Sequence, residues 1–456
     1  MPAIRLPKVT TDVTTEPRIA RRRPLRDHLG RHLSFALVLA WALISVGAAS
    51  HYGTYTPRAI ALVGGGVVVL TVAVFTLARV EVRPASRSSL VGACLVALVC
   101  TEFYAAGEHS HGPAQVWAHL LLLAAGCGLI LLVLLSRPTG ALAAVVVGLV
   151  AAAGVAGIIA SPRPPIDVWY ILQGSARAVL HGRNIYGAAW PGSRDHLMPY
   201  LPGAAVFLTP FRLLFGDVRY GLLSALILTS VPVALLLRRS PARTAPAGAG
   251  LVLACLMVLY PRVLYGIEQS WPEPLLLVFL AGTVWAVQSG RATLAVVLLA
   301  AALVTKQHVL ILLPLAALWP GFGWRRTLAA LAAAAVVVIS WFAADPHAFI
   351  QGAITFNLTL SPRHDSLSVF STAIRAGFTP SFILVPAIML LALGVAAWKI
   401  PRSTPGFVLG SAWLLAVFNV VNKQSFFNEW SLVVGLIMLG VATLGAERNS
   451  AAPLVP

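Results

Sequence analysis

Between residues 140 and 160 the chain reads GALAAVVVGLVAAAGVAGIIA, with no charged side chain and no proline. About 20 consecutive apolar residues are what a helix needs to cross the hydrocarbon core of a bilayer. Comparable runs recur along the whole sequence, separated by short connectors. In lipid no water pairs the backbone amides, so a run of this length must satisfy them within its own helix. Composition agrees, with 58% of residues hydrophobic and only 11% charged, where a soluble domain carries about 25% charged residues. The expected fold class is an all-α polytopic membrane protein with about 13–14 transmembrane helices. The four cysteines, Cys94, Cys100, Cys127 and Cys255, all fall inside apolar runs. They read as small packing residues, not as a disulfide framework or metal site.

The formal net charge is +18, from 33 Lys and Arg against 15 acids. The basic residues are spread over connectors instead of forming one block. That pattern fits the positive-inside bias and contact with anionic membrane lipids, and argues against nucleic acid as a partner. Residues 1–32 are polar and Arg-rich, which predicts a cytoplasmic tail with no cleavable signal peptide. Spans are expected at about 33–50, 59–78, 89–106, 115–135 and 140–160, then 221–237, 248–265 and 273–288, and later 327–343, 379–398, 406–421 and 430–445. Residues 33–137 form an N-terminal transmembrane unit, 138–445 a transmembrane core and 446–456 a short cytoplasmic tail. The protein is expected in the cytoplasmic (plasma) membrane, with both termini on the cytoplasmic side and most acids gathered on the outer face.

Two stretches break the apolar pattern. The first, 161–220, is the longest polar interruption and opens with Asp167 after a Pro-rich exit from the fifth span. From Val168 the apolar positions Val168, Ile171, Leu172 and Val179 recur at helical spacing, and Gly182 is a natural stop. A second amphipathic piece at about 201–215 contains Pro202, Pro210 and Arg212, and is expected to lie in the interface. The second stretch, 292–319, is too long for one ordinary span and carries Thr305–Lys306–Gln307–His308 at its middle. Read as one helix, it strands Lys306 near the bilayer centre. Read as a hairpin of two short helices, it presents Lys306 to the outer half, and burial cost favours the hairpin. Further outer loops are expected at 344–366 and 422–429.

The order of features in the first outer loop carries a resemblance. An acid follows a span; a helical segment leads to GRNIY at 182–186; then come PYLP at 199–202, a short amphipathic helix ending in LFGD at 214–217, and a new span. This resembles the GT-C superfamily, polytopic glycosyltransferases that use lipid-linked sugars. Within it the chain is most similar to glycosyltransferase family 87, the actinobacterial mannosyl- and arabinosyltransferase-like proteins, over about residues 155–445. The resemblance implies that Asp167 is the general base of an inverting displacement. A hydroxyl of a lipid or glycan acceptor would attack the anomeric carbon of a polyprenyl-phosphate sugar. The donor phosphate needs cations, and Lys306, His308, Arg363 and Lys423 are the outer-face candidates. Tyr170, Tyr186, Asp195, His196, Glu268 and His364 are candidates for contacts to the sugar or acceptor. The sequence departs from the family in placing the acid after the fifth span instead of the first. No Asp-x-Asp pair lies near Asp167, which disfavours a nucleotide-sugar donor. No metal ligands and no cofactor are assigned, although a divalent cation is compatible with the reading.

Each residue also has a plainer role. Asp167 suits a helix N-cap, Lys306 can snorkel to the interface, and Asp195–His196 fits a surface turn. His308 equally suits helix packing, and Arg363–His364–Asp365 a solvated loop. Glu108, His109 and His111 have no specific metal-ligand spacing. A transporter or flippase of lipid-linked substrate is the alternative function; it predicts polar breaks at corresponding positions of two halves, where the sequence offers one polar hairpin.

Overall fold

The structure is a computed structural model that describes residues 22–79, 84–103, 107–135, 138–187, 190–193, 197–238 and 248–446. Among these residues every regular element is a helix, and eight helices are long and apolar enough to cross a membrane. Six shorter apolar helices accompany them. The protein is an all-α polytopic membrane protein.

The N-terminal helices are α1 (Arg22–Ala49), α2 (Pro57–Thr76), α3 (Arg87–Phe103), α4 (Pro113–Leu134) and α5 (Gly140–Ala160). Their starts follow local chemistry. The Thr56 hydroxyl accepts from Ala59 N–H at 3.0 Å ahead of Pro57, and the Thr139 hydroxyl from Leu142 N–H at 3.2 Å; these caps satisfy amides that the first helical turn leaves open. The polar interruption then forms α6 (Asp167–Leu180) and α7 (Gly203–Phe215), followed by α8 (Arg219–Leu228) and α9 (Ser230–Arg238). Helix α7 exposes Leu213, Leu214 and Phe215, an apolar edge suited to lipid. Its inner side reaches α12, with the Phe207 and Phe279 rings 4.9 Å apart.

The span expected at 248–265 is interrupted. It is two short helices, α10 (Ala249–Leu256) and α11 (Val263–Glu268), separated by unwound backbone. Pro261 has no N–H to give a helix, and Arg262 takes a left-handed φ of 62°. Helices α12 (Glu273–Gln288) and α13 (Ala292–Leu303) follow. The stretch after α13 turns back, as the hairpin reading expected. Lys306 is extended (φ −153°, ψ 135°), a 3-10 turn spans Gln307–Leu312, and α14 (Leu313–Leu318) returns the chain to the Gln288 end of α12. Gly321 there faces Val287 and the Trp319 indole. The chain closes with α15 (Gly323–Ala344), the short α16 (Pro346–Phe349), α17 (Phe356–Thr359) and α18 (Val369–Arg375), then α19 (Leu384–Lys399), α20 (Thr404–Val421) and α21 (Phe427–Ala446).

Contacts between helix ends sort them onto two faces. His111 N–H donates to the Ala160 carbonyl at 3.0 Å, Tyr55 N–H to the Asp365 carbonyl at 2.7 Å and Arg363 N–H to the Lys423 carbonyl at 3.3 Å. On the opposite face Arg87 donates to the Val133 carbonyl at 3.1 Å, and Gln288 meets Thr404. The start of α1 and the end of α21 lie on that opposite face. Every acid whose side chain is described (Glu108, Asp167, Asp217, Glu268, Glu273, Asp345, Asp365 and Glu429) lies on the first. We call it the acidic face.

The N-terminal helices are not a peripheral addition. Helix α1 packs along α21 and α2 along α20, with Trp413 Nε1 donating to the Thr71 hydroxyl at 3.0 Å. The four cysteines are free, with Cys127 exposed on the bundle and the other three buried.

Gly203 sits where α7 meets the Lys306 turn, its N–H donating to the Val304 carbonyl at 2.8 Å. A methyl there would stand 2.7 Å from that carbonyl oxygen. Gly203→Ala is therefore expected to destabilise by about 1–3 kcal/mol, read as a lower melting temperature in detergent. Gly148→Ala, with open space around it, should leave the melt unchanged or raise it.

Candidate functional site

Three helices and two loops converge on Lys306. Glu273 is in the first turn of α12, just after Pro272, and is almost fully buried. Lys306 Nζ lies 2.5 Å from Glu273 Oε1 and 3.7 Å from Glu429 Oε1. Asn428 Nδ2 donates to Glu273 Oε1 at 3.0 Å, and Phe426 N–H to Glu429 Oε2 at 3.0 Å. Glu273 Oε2 has no hydrogen-bond partner. One ammonium thus faces two carboxylates in a buried setting, where removing one partner costs far more than the pair contributes.

The Pro199–Pro202 segment is laced over this cluster. Its Pro199 carbonyl accepts from Gln307 Nε2 and from Asn357 Nδ2, each at 2.9 Å. Tyr186 donates its hydroxyl to the Tyr200 carbonyl at 2.8 Å. The Tyr200 ring lies 5.6 Å from Lys306 Nζ. Burial pushes the Tyr200 phenol well above its usual range, and the Glu273, Asp167 and Glu429 carboxylates push it further. Asp167 therefore shares this electrostatic neighbourhood.

Asp167 is exposed at the start of α6, and its Oδ1 accepts only from Val168 N–H, at 2.8 Å. Helix α6 is fixed by the LFGD turn. Gln173 donates to the Gly216 carbonyl at 2.8 Å and accepts from Val218 N–H at 3.0 Å. Gly216 itself caps α7 at φ 79°, a conformation that favours glycine. Asp217 is spent on buried Arg219, 2.7 Å away, and on the Trp169 indole at 3.3 Å. Asp345 caps α16 through Ala348 N–H at 3.0 Å. Asp365 holds Arg363 in a two-point grip.

The other residues predicted from the sequence divide. Lys306 and His308 share the central turn, but the Lys306 ammonium is already engaged by carboxylates, and the His308 ring stacks near Phe418 at 6.4 Å. Lys423 is buried, donates to the Leu358 carbonyl at 2.6 Å and lies over the Phe382 ring at 4.6 Å; burial lowers its pKa. For Asp365, burial would raise the carboxyl, yet the Arg363 guanidinium holds it below the usual value. Arg363 also covers the Phe426 ring at 4.6 Å. His364 is exposed, and its carbonyl accepts from Ser371 and Arg375, each at 2.7 Å. Tyr170 packs edge-on against Trp169.

Two expectations need correction. Glu268 is not placed for a sugar: it is buried and accepts from Glu108 N–H at 2.5 Å, Ser110 Oγ at 2.6 Å and His109 N–H at 3.1 Å. It is a brace for the loop between α3 and α4. Tyr186 is buried, with its ring 4.7 Å from Phe349 and its hydroxyl committed, so it has no face to offer a sugar. Asp195 and His196 lie outside the described residues. Among the described residues no group of three or more His, Cys, Asp and Glu side chains is arranged to hold a metal.

The chain matches no protein-family model, and no curated protein matches it. The site therefore has to be read from its own geometry. Sequence reasoning missed Glu273, Asn428 and Gln307. The signal for Glu273 was an acid between two prolines at a span end, where an acid inside an apolar helix wants a buried cation. Lys306→Met is expected to destabilise by about 3–5 kcal/mol, because it leaves Glu273 buried without its cation. Lys306→Met combined with Glu273→Gln should recover part of that loss in the same melting experiment.

Proposed function

We propose that this protein is a membrane glycosyltransferase. It moves one sugar, mannose or arabinofuranose, from a polyprenyl-phosphate donor to a lipid or cell-envelope glycan acceptor at the outer face of the cytoplasmic membrane. The observation that carries the reading is Asp167. Its carboxylate is solvent-exposed and accepts only from the adjacent Val168 N–H. Glu108, the other exposed acid, lies 3.5 Å from Gln269 Nε2 and 3.8 Å from the His109 ring, and the remaining six each hold a cation, brace a loop or cap a helix. On the other face the described Lys, Arg, Asp and Glu side chains are all basic, Arg238, Arg291, Arg325, Arg326, Lys399 and Arg402 among them, which supports that face as the inner one and the acidic face as the outer one.

In this reading Asp167 takes the proton of the acceptor hydroxyl. The oxygen attacks the anomeric carbon opposite the phosphate, and the bond from that carbon to the phosphate oxygen breaks with its electron pair leaving on phosphate. The configuration inverts. A phosphate leaves without the protonation that an ordinary glycoside needs, so one carboxylate suffices. For the phosphate grip, Lys423, His308 and Arg363 remain the candidates, Arg363 through the Nη1 that its Asp365 partner does not engage. Lys306 instead positions the Tyr200 segment, since its charge is met by Glu273 and Glu429. Tyr170 and His364 remain candidates for sugar or acceptor contact.

A second reading, a transporter or flippase of lipid-linked substrate, is favoured by the interruption at 257–262. With the Lys306 turn it makes two broken helices beside a buried ion cluster, a combination typical of transporters.

The two readings separate in reconstituted vesicles given radiolabelled polyprenyl-phosphate mannose or arabinose. Asp167→Asn is expected to lower transfer by about 10²–10⁴-fold with an unchanged melting temperature. Undiminished transfer would remove Asp167 from the chemistry. Label that crosses the bilayer without being transferred would establish the transporter reading instead.

A further inference from the structure

The ends of α1 and α2 on the acidic face border a cavity of about 750 Å³, within the range of small-molecule sites. His51, Tyr52, Arg58 and Arg262 line it, with Val46 and Leu62 one helical turn further in. Its lining holds two arginines and no acidic residue. The charge of this lining is therefore purely basic.

The backbone singles out the same place. Only four non-glycine residues among those described have a left-handed φ: His51 (44°), Tyr52 (58°), Arg262 (62°) and Ser270 (62°). Three of the four line this cavity. Such conformations are strained for side-chain-bearing residues and gather at ligand clamps. The strain is held by definite contacts. The Arg262 guanidinium lies 3.7 Å from the centre of the Tyr52 ring and 5.6 Å from that of Tyr265. The Tyr265 hydroxyl donates to the Tyr52 carbonyl at 3.2 Å. Stacking uses the face of a guanidinium, whereas phosphate is gripped by its edge. Arg58, in the first turn of α2, is exposed.

We propose that this cavity binds a phosphate-headed amphiphile, with the phosphate between Arg58 and Arg262 and an acyl chain along Val46 and Leu62. The apolar lining lies toward the middle of the membrane and the basic lining toward its surface, which is the polarity of a lipid standing in a leaflet. The binding does not depend on transfer chemistry, so this site stands or falls separately from Asp167.

The test uses the purified full chain, with binding read by native mass spectrometry and by melting temperature. Three probes are compared: phosphatidylglycerol, diacylglycerol with the same chains, and inorganic phosphate. One saturable phosphatidylglycerol is expected to be retained and to raise the melting temperature, and diacylglycerol is not. Arg58→Gln, on an exposed side chain, should weaken that binding about tenfold, the loss expected for one charge-assisted hydrogen bond. Arg58→Lys should restore part of it. Inorganic phosphate that raises the melting temperature and displaces the lipid would identify a free phosphate as sufficient for the same site. Equal retention of phosphatidylglycerol and diacylglycerol, or unchanged affinity in Arg58→Gln, would overturn the proposal.

Discussion

The contact between Lys306 and Glu273 is the constraint to which the middle of the molecule answers. An ammonium in the midst of apolar helices is tolerable only against a carboxylate and with its helix interrupted. Both conditions are met at one point. The helix breaks at Lys306, and α12 starts one residue after Pro272, which delivers Glu273 to the same level. The break has a second effect. It leaves the Val304 carbonyl unclaimed by a helix, and Gly203 N–H takes it up. The polar interruption of the chain is thereby anchored to the hairpin, and Asp167, Tyr200 and the Lys306 cluster share one electrostatic field.

Much of this was legible in the sequence, for reasons that can be named. The spans follow from run length. The hairpin follows from the cost of stranding Lys306, and α6 and α7 from apolar spacing and the glycines that end them. Asp167 stood out because it followed a span directly. What was hidden depended on partners far apart in the chain. Glu268 and Glu273 are five residues apart and both lie at a helix end on the acidic face, yet one braces the loop at 107–110 and the other holds Lys306. No local pattern tells them apart. Tyr186 likewise looked like a ring for a sugar, and only packing against Phe349 shows it to be enclosed. The interruption at 257–262 was signalled by Pro261, but the flanking apolar residues outweighed it in a window of span length.

The N-terminal helices illustrate the same limit. Nothing in residues 33–137 predicts a role, because partners that tie them to the rest of the chain, α20, α21 and α11, lie far downstream. Once assembled, they contribute the Tyr52–Arg262 stack, a strained corner and the braced loop under Glu268. These helices supply one wall of the acidic face.

The pairing of α1 with α21 also bears on how the chain is made. A membrane protein is threaded into the bilayer from its first helix onward, so α1 is in place long before its last partner has been synthesised. Until then the flank of α1 that ends against α21 faces lipid or an insertion chaperone, and the amides at 108 and 109 wait for a carboxylate 160 residues downstream. The packing around α1 is therefore closed only when α21 arrives. A chain cut short anywhere before α21 would leave α1 without this neighbour and its flank exposed to lipid.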